Sequence, residues 1–392
     1  MNDHLCSDWS KIFRAKYWKW ARLRVDPSHF PGQGQVLLGS RIISLVTEIW
    51  ISGADDHLMD LFLRSVEAGV TVELKKLTID DEGVYVGSIE PGLLSRAVLK
   101  LQDCTIHGVQ LVQQEAIIAA ISNSVTSLRR LKLFLSRPGS EVSQMAPDIV
   151  VGAAMKLEGL TVRLSSPQME AVLAGISNST ITSLRYLDLD KHQDEIHHIA
   201  PDIVTEAAMK LESFGAPLSR HQVEAVLTRL ADSQDSRLRN LKTSALTPWT
   251  HYLLPLDPEV VAGALTKLEK VGPDLGGILS AGQVSVLLTR ILHSPDLRLT
   301  QLHLYSKDLS LVPPEVLVGA IQRLEVAWFQ YGKMTREQLT AILSLAKENG
   351  LGRIKTIVIQ RVDGMSSVSP SLLQQARQNI KLKWTMACEF EI

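Results

Sequence analysis

The sequence predicts an α/β solenoid in which short parallel strands alternate with helices. The first observation is a phrase that opens with proline and closes near Leu-Glu, at residues 146–158, 200–212, 257–269 and 311–325. Weaker copies begin near Pro91 and Pro370. The recurring prolines, at 91, 147, 201, 258, 314 and 370, are separated by 56, 54, 57, 56 and 56 residues. A constant period of this kind indicates stacked structural repeats.

A second phrase lies between the copies of the first. It contains a serine or threonine, a glutamine three residues later and an apolar run, at residues 164–173, 218–227, 279–288 and 334–343. The long period is therefore two alternating units of about 28 residues each.

Each unit contains a short segment of alternating apolar residues, which is typical of a half-buried strand. Two of these segments, 128–133 and 184–189, read L-x-x-L-x-L. The predicted strands are 46–51, 74–79, 99–103, 128–133, 157–162, 184–189, 211–215, 238–243, 268–272, 299–304, 324–329, 354–359 and 380–384.

The helices between the strands have two kinds of start signal. One kind is proline followed by an acidic residue, as at Pro258 and Glu259, which suits the first helical turn and its positive dipole end. The other is a capping box, S/T-x-x-Q, in which two side chains satisfy the first backbone N–H groups. Its members are Ser165 with Gln168, Ser219 with Gln222, Ser280 with Gln283 and Thr335 with Gln338.

Period, strand pattern and helix starts together resemble the leucine-rich repeats of the ribonuclease-inhibitor-like type. The resemblance covers residues 42–392, about 13 units of about 28 residues. It implies a horseshoe with parallel strands on the concave side and helices on the convex side. The asparagine or cysteine that usually follows the strand in that family is missing after Leu133, where Leu135, Ser136 and Arg137 stand. The turns are therefore expected to be less regular.

Residues 1–41 differ from the repeats and predict a short helical N-terminal cap. Trp9, Ile12, Phe13 and Tyr17 follow a helical spacing. Residues 5–18 resemble the last part of an F-box, although its leading Leu-Pro helix is absent. That resemblance implies binding to the adaptor of a cullin-based ubiquitin ligase. The local tryptophans would form either a partner-binding patch or a hydrophobic cover over the first repeat.

Composition excludes several classes of protein. The formal net charge is -1, so nothing favours nucleic acid, which requires a basic face. No apolar run reaches the length of a membrane span. The N-terminus lacks a signal-peptide pattern, and Cys6, Cys104 and Cys388 are few and far apart. We therefore expect an intracellular protein, cytoplasmic or nuclear, with reduced thiols.

The sequence shows no constellation for catalysis, no cofactor loop and no metal-binding spacing. We therefore predict a protein that is not an enzyme and carries no cofactor. His197 and His198, with His192, Asp194 and Glu195 nearby, are interpreted as a polar loop rather than as metal ligands. Cys104 is interpreted as a small core residue rather than as a reactive thiol.

The strand pattern also predicts a binding face. The leucines of L-x-x-L-x-L point into the core, so the third and fifth positions point to the opposite side. Tyrosine, tryptophan and arginine at such positions are the residue types that dominate interfaces, although Trp328 could also pack between its strand neighbours. The candidate protein-binding residues are Trp50, Arg130, Lys132, Tyr186, Asp188, Asn240, Lys242, Gln301, His303 and Trp328.

The residue after the first leucine of each strand alternates in charge along the chain. The series is Arg129, Glu158, Arg185, Glu212, Arg239 and Glu269. Neighbouring strands lie about 4.8 Å apart, so these side chains are expected to meet as opposite-charge pairs. The pairs would either fix the register of the strands or form a mixed-charge docking strip.

The pattern as a whole favours a protein–protein interaction scaffold, and the F-box resemblance implies a substrate receptor of a cullin-based ubiquitin ligase. An alternative is the ligand-sensing or inhibitor region of a protein similar to innate-immune receptors or ribonuclease inhibitors. Fold by itself does not distinguish these functions.

Overall fold

A computed structural model of the chain describes residues 22–25, 46–51, 56–69, 74–80, 86–136, 143–189, 194–243, 255–305, 307–347 and 353–360. The chain divides into two compact units, Met1–Ile196 and His197–Ile392. Each unit is built from strands and helices that alternate along the chain.

Within its described residues, the first unit has seven strands that pair in parallel in their order along the chain. They are β1 Arg22–Val25, β2 Glu48–Ile51, β3 Lys76–Ile79, β4 Asp103–Val109, β5 Arg130–Leu135, β6 Gly159–Val162 and β7 Tyr186–Leu189. The helices are α1 Asp56–Glu67, α2 Pro91–Val98, α3 Leu111–Asn123, α4 Pro147–Ala154 and α5 Ser166–Ser177, with a 3-10 helix at Val86–Ser88.

The second unit repeats this arrangement, with six parallel strands among its described residues. They are β8 Ser213–Ala216, β9 Asn240–Thr243, β10 Lys270–Val271, β11 Gln301–Tyr305, β12 Val326–Gln330 and β13 Thr356–Gln360. The helices are α6 Pro201–Lys210, α7 Arg220–Asp232, α8 Pro258–Leu265, α9 Pro273–Gly277, α10 Ala281–His293, α11 Pro314–Gln322 and α12 Arg336–Lys347. A 3-10 helix spans Asp194–His198.

Alternation along the strands places one set of side chains in the core. In β5, Leu131 and Leu133 are buried, whereas Arg130 and Lys132 are exposed. Within each unit, helices of neighbouring repeats pack against one another, as α2 packs on α3, α7 on α8 and α8 on α10. A regular alternation of parallel strands and packed helices is the arrangement expected of a repeat solenoid, and the α/β repeat prediction is confirmed at this level.

Most predicted strands begin two residues before the observed ones, and one repeated backbone contact explains the difference. The carbonyl of the residue after the first leucine accepts two N–H groups from the next strand. The oxygen of Glu158, for example, accepts from Arg185 N at 2.8 Å and Tyr186 N at 3.0 Å. Because both donors share one acceptor, the regular ladder starts only at the following residue, here Tyr186.

Two strand predictions need correction, and one strand lies in the predicted cap. The strand predicted at 99–103 is wrong, because Leu99 and Leu101 donate backwards to Ser95 and Val98 in the turn that ends α2, and β4 starts at Asp103. The strand predicted at 268–272 is shortened to β10, because Pro273 has no N–H and begins α9. Strand β1 lies within residues 1–41, which were predicted as a helical cap. The remainder of that range lies outside the described residues. The strand predicted at 380–384 also lies outside them.

The glutamine of the capping box is a buried structural element. Gln168 Oε1 accepts a hydrogen bond from the N-cap amide of Ser165 at 2.9 Å, which holds the start of α5. Its Nε2 donates to Met145 O at 2.7 Å and to Ser143 Oγ at 3.0 Å, in the segment that leads into α4. One side chain thus joins two neighbouring half-repeats, that is, two of the alternating segments of about 28 residues.

The same contact recurs in the described part of both units. Gln338 accepts from Thr335 N at 2.8 Å and donates to Leu309 O at 2.6 Å and Val312 O at 2.5 Å. The glutamines at this position of the capping box are Gln113, Gln168, Gln222, Gln283 and Gln338, and each is at most 1% exposed. The first copy was missed in the sequence because its N-cap is Gln110 rather than serine or threonine.

In two copies of the proline phrase, a lysine caps the C-terminus of the preceding helix. Lys156 Nζ donates to the carbonyls of Ile121, Ser122 and Ser124 at the end of α3. Lys267 Nζ does the same for Leu230, Ala231 and Ser233 at the end of α7. A cation at a helix C-terminus satisfies free carbonyls and opposes the negative end of the dipole. Desolvation lowers the pKa of Lys267.

Replacement of a buried glutamine should destabilise the fold. We expect Gln338→Leu to lower the free energy of unfolding by about 2–4 kcal/mol, because it leaves buried backbone groups without partners. Urea unfolding followed by circular dichroism measures the change. Gln234→Leu, the same substitution at an exposed glutamine, is the matched control and should shift the midpoint little. Equal midpoints for the two variants would contradict a structural role for Gln338.

Candidate functional site

The exposed strand face is the side of each unit's strands that carries the partly exposed, non-core positions. All ten predicted binding residues lie on it. In the first unit these are Trp50, Arg130, Lys132, Tyr186 and Asp188, and in the second Asn240, Lys242, Gln301, His303 and Trp328. Placement on this face agrees with the strand pattern; a role in binding is a separate matter.

In the first unit, the structure brings Arg130 and Tyr186 together. Both are in register with Gly159, which lies on the strand between them. The Arg130 guanidinium carbon lies 5.3 Å from the centroid of the Tyr186 ring. A Cβ at Gly159 would lie 3.3 Å from Arg130 Cγ and 3.5 Å from Tyr186 Cβ. The lack of a side chain at Gly159 therefore permits the cation–π contact across a strand.

Other first-unit candidates are more dispersed. Lys132 is in register with Thr105 and Thr161, and Asp188 follows Thr161 in the same row. Trp50, 42% exposed, is in register with Thr78 on β3 and is thus three strands away from Lys132. The structure does not bring Trp50 to the Arg130–Tyr186 pair.

One stacked pair on this face was missed in the sequence. His107 and Phe134 are in register on β4 and β5, and their ring centroids lie 4.3 Å apart with an interplanar angle of 19°. His107 lies four residues beyond the end of the strand predicted at 99–103, and Phe134 lies one residue beyond the end of the strand predicted at 128–133. The observed strands β4 and β5 extend to Val109 and Leu135 and therefore include both rings.

In the second unit, the aromatic residues form a cluster. His303 stacks on Trp328, with centroids 4.6 Å apart and an interplanar angle of 11°. His303 Nε2 lies 3.3 Å from Gln330 Oε1, and Tyr305 packs on Tyr331 at 5.1 Å. The indole nitrogen of Trp328 is buried without a hydrogen-bond partner in the described part of the chain. Trp328 thus packs between strand side chains and stays partly exposed.

Burial has an electrostatic effect on this cluster. Desolvation lowers the pKa of His303, the hydrogen bond with Gln330 raises it in part, and the positive charge of Lys270 lowers it further. His303 is therefore neutral at physiological pH. A neutral ring stacks on an indole without the cost of burying a charge.

The alternating charges before the strands form ion pairs. Arg129 lies 3.8 Å from Glu158, and Arg239 lies 3.0 Å from Glu269. A further pair of the same kind joins Lys355 to Glu325 at 2.7 Å. These side chains are largely exposed, so each pair contributes about 0–1 kcal/mol. The prediction of opposite-charge neighbours is confirmed for the first two pairs.

The described residues hold no group of three histidine, cysteine, aspartate or glutamate side chains placed to bind a metal. His197 and His198 are exposed on the 3-10 helix Asp194–His198. Cys104 is buried, and desolvation raises the pKa of its thiol, which agrees with a core residue. The N-terminal tryptophans lie outside the described residues.

No protein-family model matches the sequence, and no curated protein matches it significantly. Among the described helices, none combines the length and the apolar character that crossing a bilayer demands.

The environment of His303 can be tested by titration. We expect NMR to give His303 a pKa below about 6.5, and Trp328→Ala to raise it because the imidazole gains solvent. Since the folded pKa is lowered, the unfolded chain binds the proton more readily. Stability contributed by neutral His303 is therefore full above about pH 6.5 and falls below it. A titration at or above 6.5 in the unaltered protein would contradict the buried stack.

Proposed function

We propose that this protein is a non-enzymatic scaffold that binds another protein through the exposed strand face. The observation that carries the proposal is that partly exposed rings and cations on this face are already held in pairs. Arg130 lies over Tyr186, and His303 is stacked on Trp328. Side chains ordered before binding lose less entropy when a partner arrives.

The composition of the face supports a protein as the partner. In the first unit it combines Arg130 and Lys132 with Asp188 and with the rings of Trp50 and Tyr186. Tryptophan, tyrosine and arginine are enriched where alanine substitution weakens protein complexes most. A face with charges of both signs suits a specific protein surface better than a phosphate backbone.

We extend the proposal to the architecture and the cellular role that the two resemblances imply. The repeats would form a leucine-rich-repeat horseshoe with the exposed strand face on its concave side. The protein would act in the cell interior as a substrate receptor of a cullin-based ubiquitin ligase. The ligase role rests on residues 5–18, outside the described residues, and on that resemblance only.

Substitutions on the face should weaken the proposed complex. Immobilised protein and quantitative mass spectrometry would compare partners captured from a cell extract by the unaltered chain and by Arg130→Ala/Tyr186→Ala. We expect recovery of a specific partner to fall by a factor of about 30, as for loss of a binding hot spot. The unfolding midpoint should change little, because both side chains are partly exposed.

The control is Arg64→Ala/Val112→Ala, which removes an arginine and an apolar residue exposed on α1 and α3. This variant should retain the partner. Equal recovery by the face variant and the control, or loss of stability with unchanged recovery, would assign Arg130 and Tyr186 to the scaffold and remove the proposed face.

The ligase role has its own test. If it is right, the adaptor subunit should copurify with the full-length gene product, and Trp9→Ala/Trp18→Ala should abolish this while partner capture through the repeats persists. Failure of the full-length product to recover the adaptor would remove the ligase role without affecting the proposed face.

A further inference from the structure

The exposed strand face of the second unit is interrupted at β10. This strand has only two residues, Lys270–Val271, and the chain then turns into α9. Helix α9 packs against the neighbouring strands β9 and β11. The break is encoded locally, because Gly272 and Pro273 follow the strand directly and proline cannot continue the hydrogen-bond ladder.

Two contacts hold α9 in place. A Cβ at Gly276 would lie 1.9 Å from the carbonyl oxygen of His303, so only glycine allows this approach of the helix to β11. Lys307 Nζ donates to Gly277 O at 2.6 Å, at the end of α9. Lys307 is buried, and desolvation lowers its pKa to about 8. These contacts place α9 directly against β11.

Beside α9, the shortened strand leaves a depression with a volume of about 360 Å³. Among the residues that line it are the polar residues Asn240, Lys242, Lys270, Asp274, Ser213 and Thr243, together with the apolar Leu241 and Leu275. Two cations and one carboxylate give the depression a net charge of about +1 at neutral pH. Strands β8–β13 contain no acidic residue within the bounds that the structure describes.

We propose that this depression binds a carboxylate from an acidic segment of the partner protein, with Lys242 and Lys270 supplying charge and Asn240 an amide donor. The inference rests on the proposed function and names the chemistry of the partner. Lysine ammonium groups are point charges that attract carboxylates, and a partly enclosed site strengthens that attraction relative to open water.

A protein carboxylate fits the site better than a nucleic acid does. A phosphate backbone presents a charge at each nucleotide and is usually held by several cations along a groove. Here only two lysines line the depression, and Asp274 in the same lining would repel a dense row of phosphates. The whole chain has a formal net charge of -1, which provides no wider attraction for a polyanion.

The neighbouring aromatic cluster provides an internal reporter of the bound anion. The positive charge of Lys270 is one of the causes that lower the pKa of His303. A carboxylate placed on Lys270 would offset that charge. Occupation of the depression should therefore raise the pKa of His303, an effect that binding far from both Lys270 and His303 would not produce.

The test uses the full chain and a fluorescein-labelled peptide of alternating glutamate and alanine, with a lysine–alanine peptide as its charge-reversed counterpart. Fluorescence anisotropy should show binding of the glutamate peptide only, weakening as salt is added. Lys242→Glu/Lys270→Glu should raise its Kd at least about tenfold, and Lys242→Gln/Lys270→Gln should weaken binding less. NMR should show a raised pKa for His303 in the peptide complex.

The control Arg237→Glu/Arg353→Glu makes the same charge change at exposed arginines outside the depression and should bind almost as well as the unaltered chain. Failure of the glutamate peptide to bind, equal binding by Lys242→Glu/Lys270→Glu, or equally tight binding of a single-stranded thymidine oligonucleotide would overturn the inference. If only this peptide test fails and partner capture still depends on Arg130 and Tyr186, the proposed function stands without it.

Discussion

The buried glutamine of the capping box is the interaction on which the repeat architecture depends. Its oxygen holds the first amide of one helix, and its nitrogen holds carbonyls before the preceding helix, as Gln338 does with Thr335, Leu309 and Val312. An unpaired amide at such a depth costs about 1–3 kcal/mol, so neighbouring half-repeats can stack well only in the register that satisfies it.

A second polar interaction stabilises the C-terminal ends of helices. Lysines such as Lys156 and Lys267 satisfy the carbonyls that end a helix of the adjacent half-repeat. Both interactions use side chains outside the strands, so the stacking of the repeats does not depend on the non-core strand positions. Those positions are free to vary in chemistry, and on them the rings and cations of the exposed strand face are found. The two-residue strand β10 illustrates this freedom, because the pairing on either side of it is kept.

Much of this arrangement could be predicted from the sequence, since period, capping boxes and alternation are local signals. The limits are equally physical. Most predicted strands begin two residues early because a carbonyl that accepts two N–H groups precedes the regular ladder. Residues 99–103 were predicted as a strand because the helical turn there has the same spacing of apolar residues. All ten candidate residues lie on the side of the strands that the alternation predicts. The contact of Arg130 with Tyr186 depends on Gly159 from an intervening strand, and the depression depends on where α9 packs, so neither could be read from one repeat.

Native-state hydrogen exchange of the N-cap amides tests the central claim most directly. The amides of Ser165, Ser219, Ser280 and Thr335 donate to buried glutamine side chains rather than to water. They should therefore exchange as slowly as amides within the core strands, whereas free amides in a first helical turn exchange quickly. Slow exchange at all four positions is the predicted result. Rapid exchange at these positions, with the strands protected, would contradict the account of a frame built on buried glutamines.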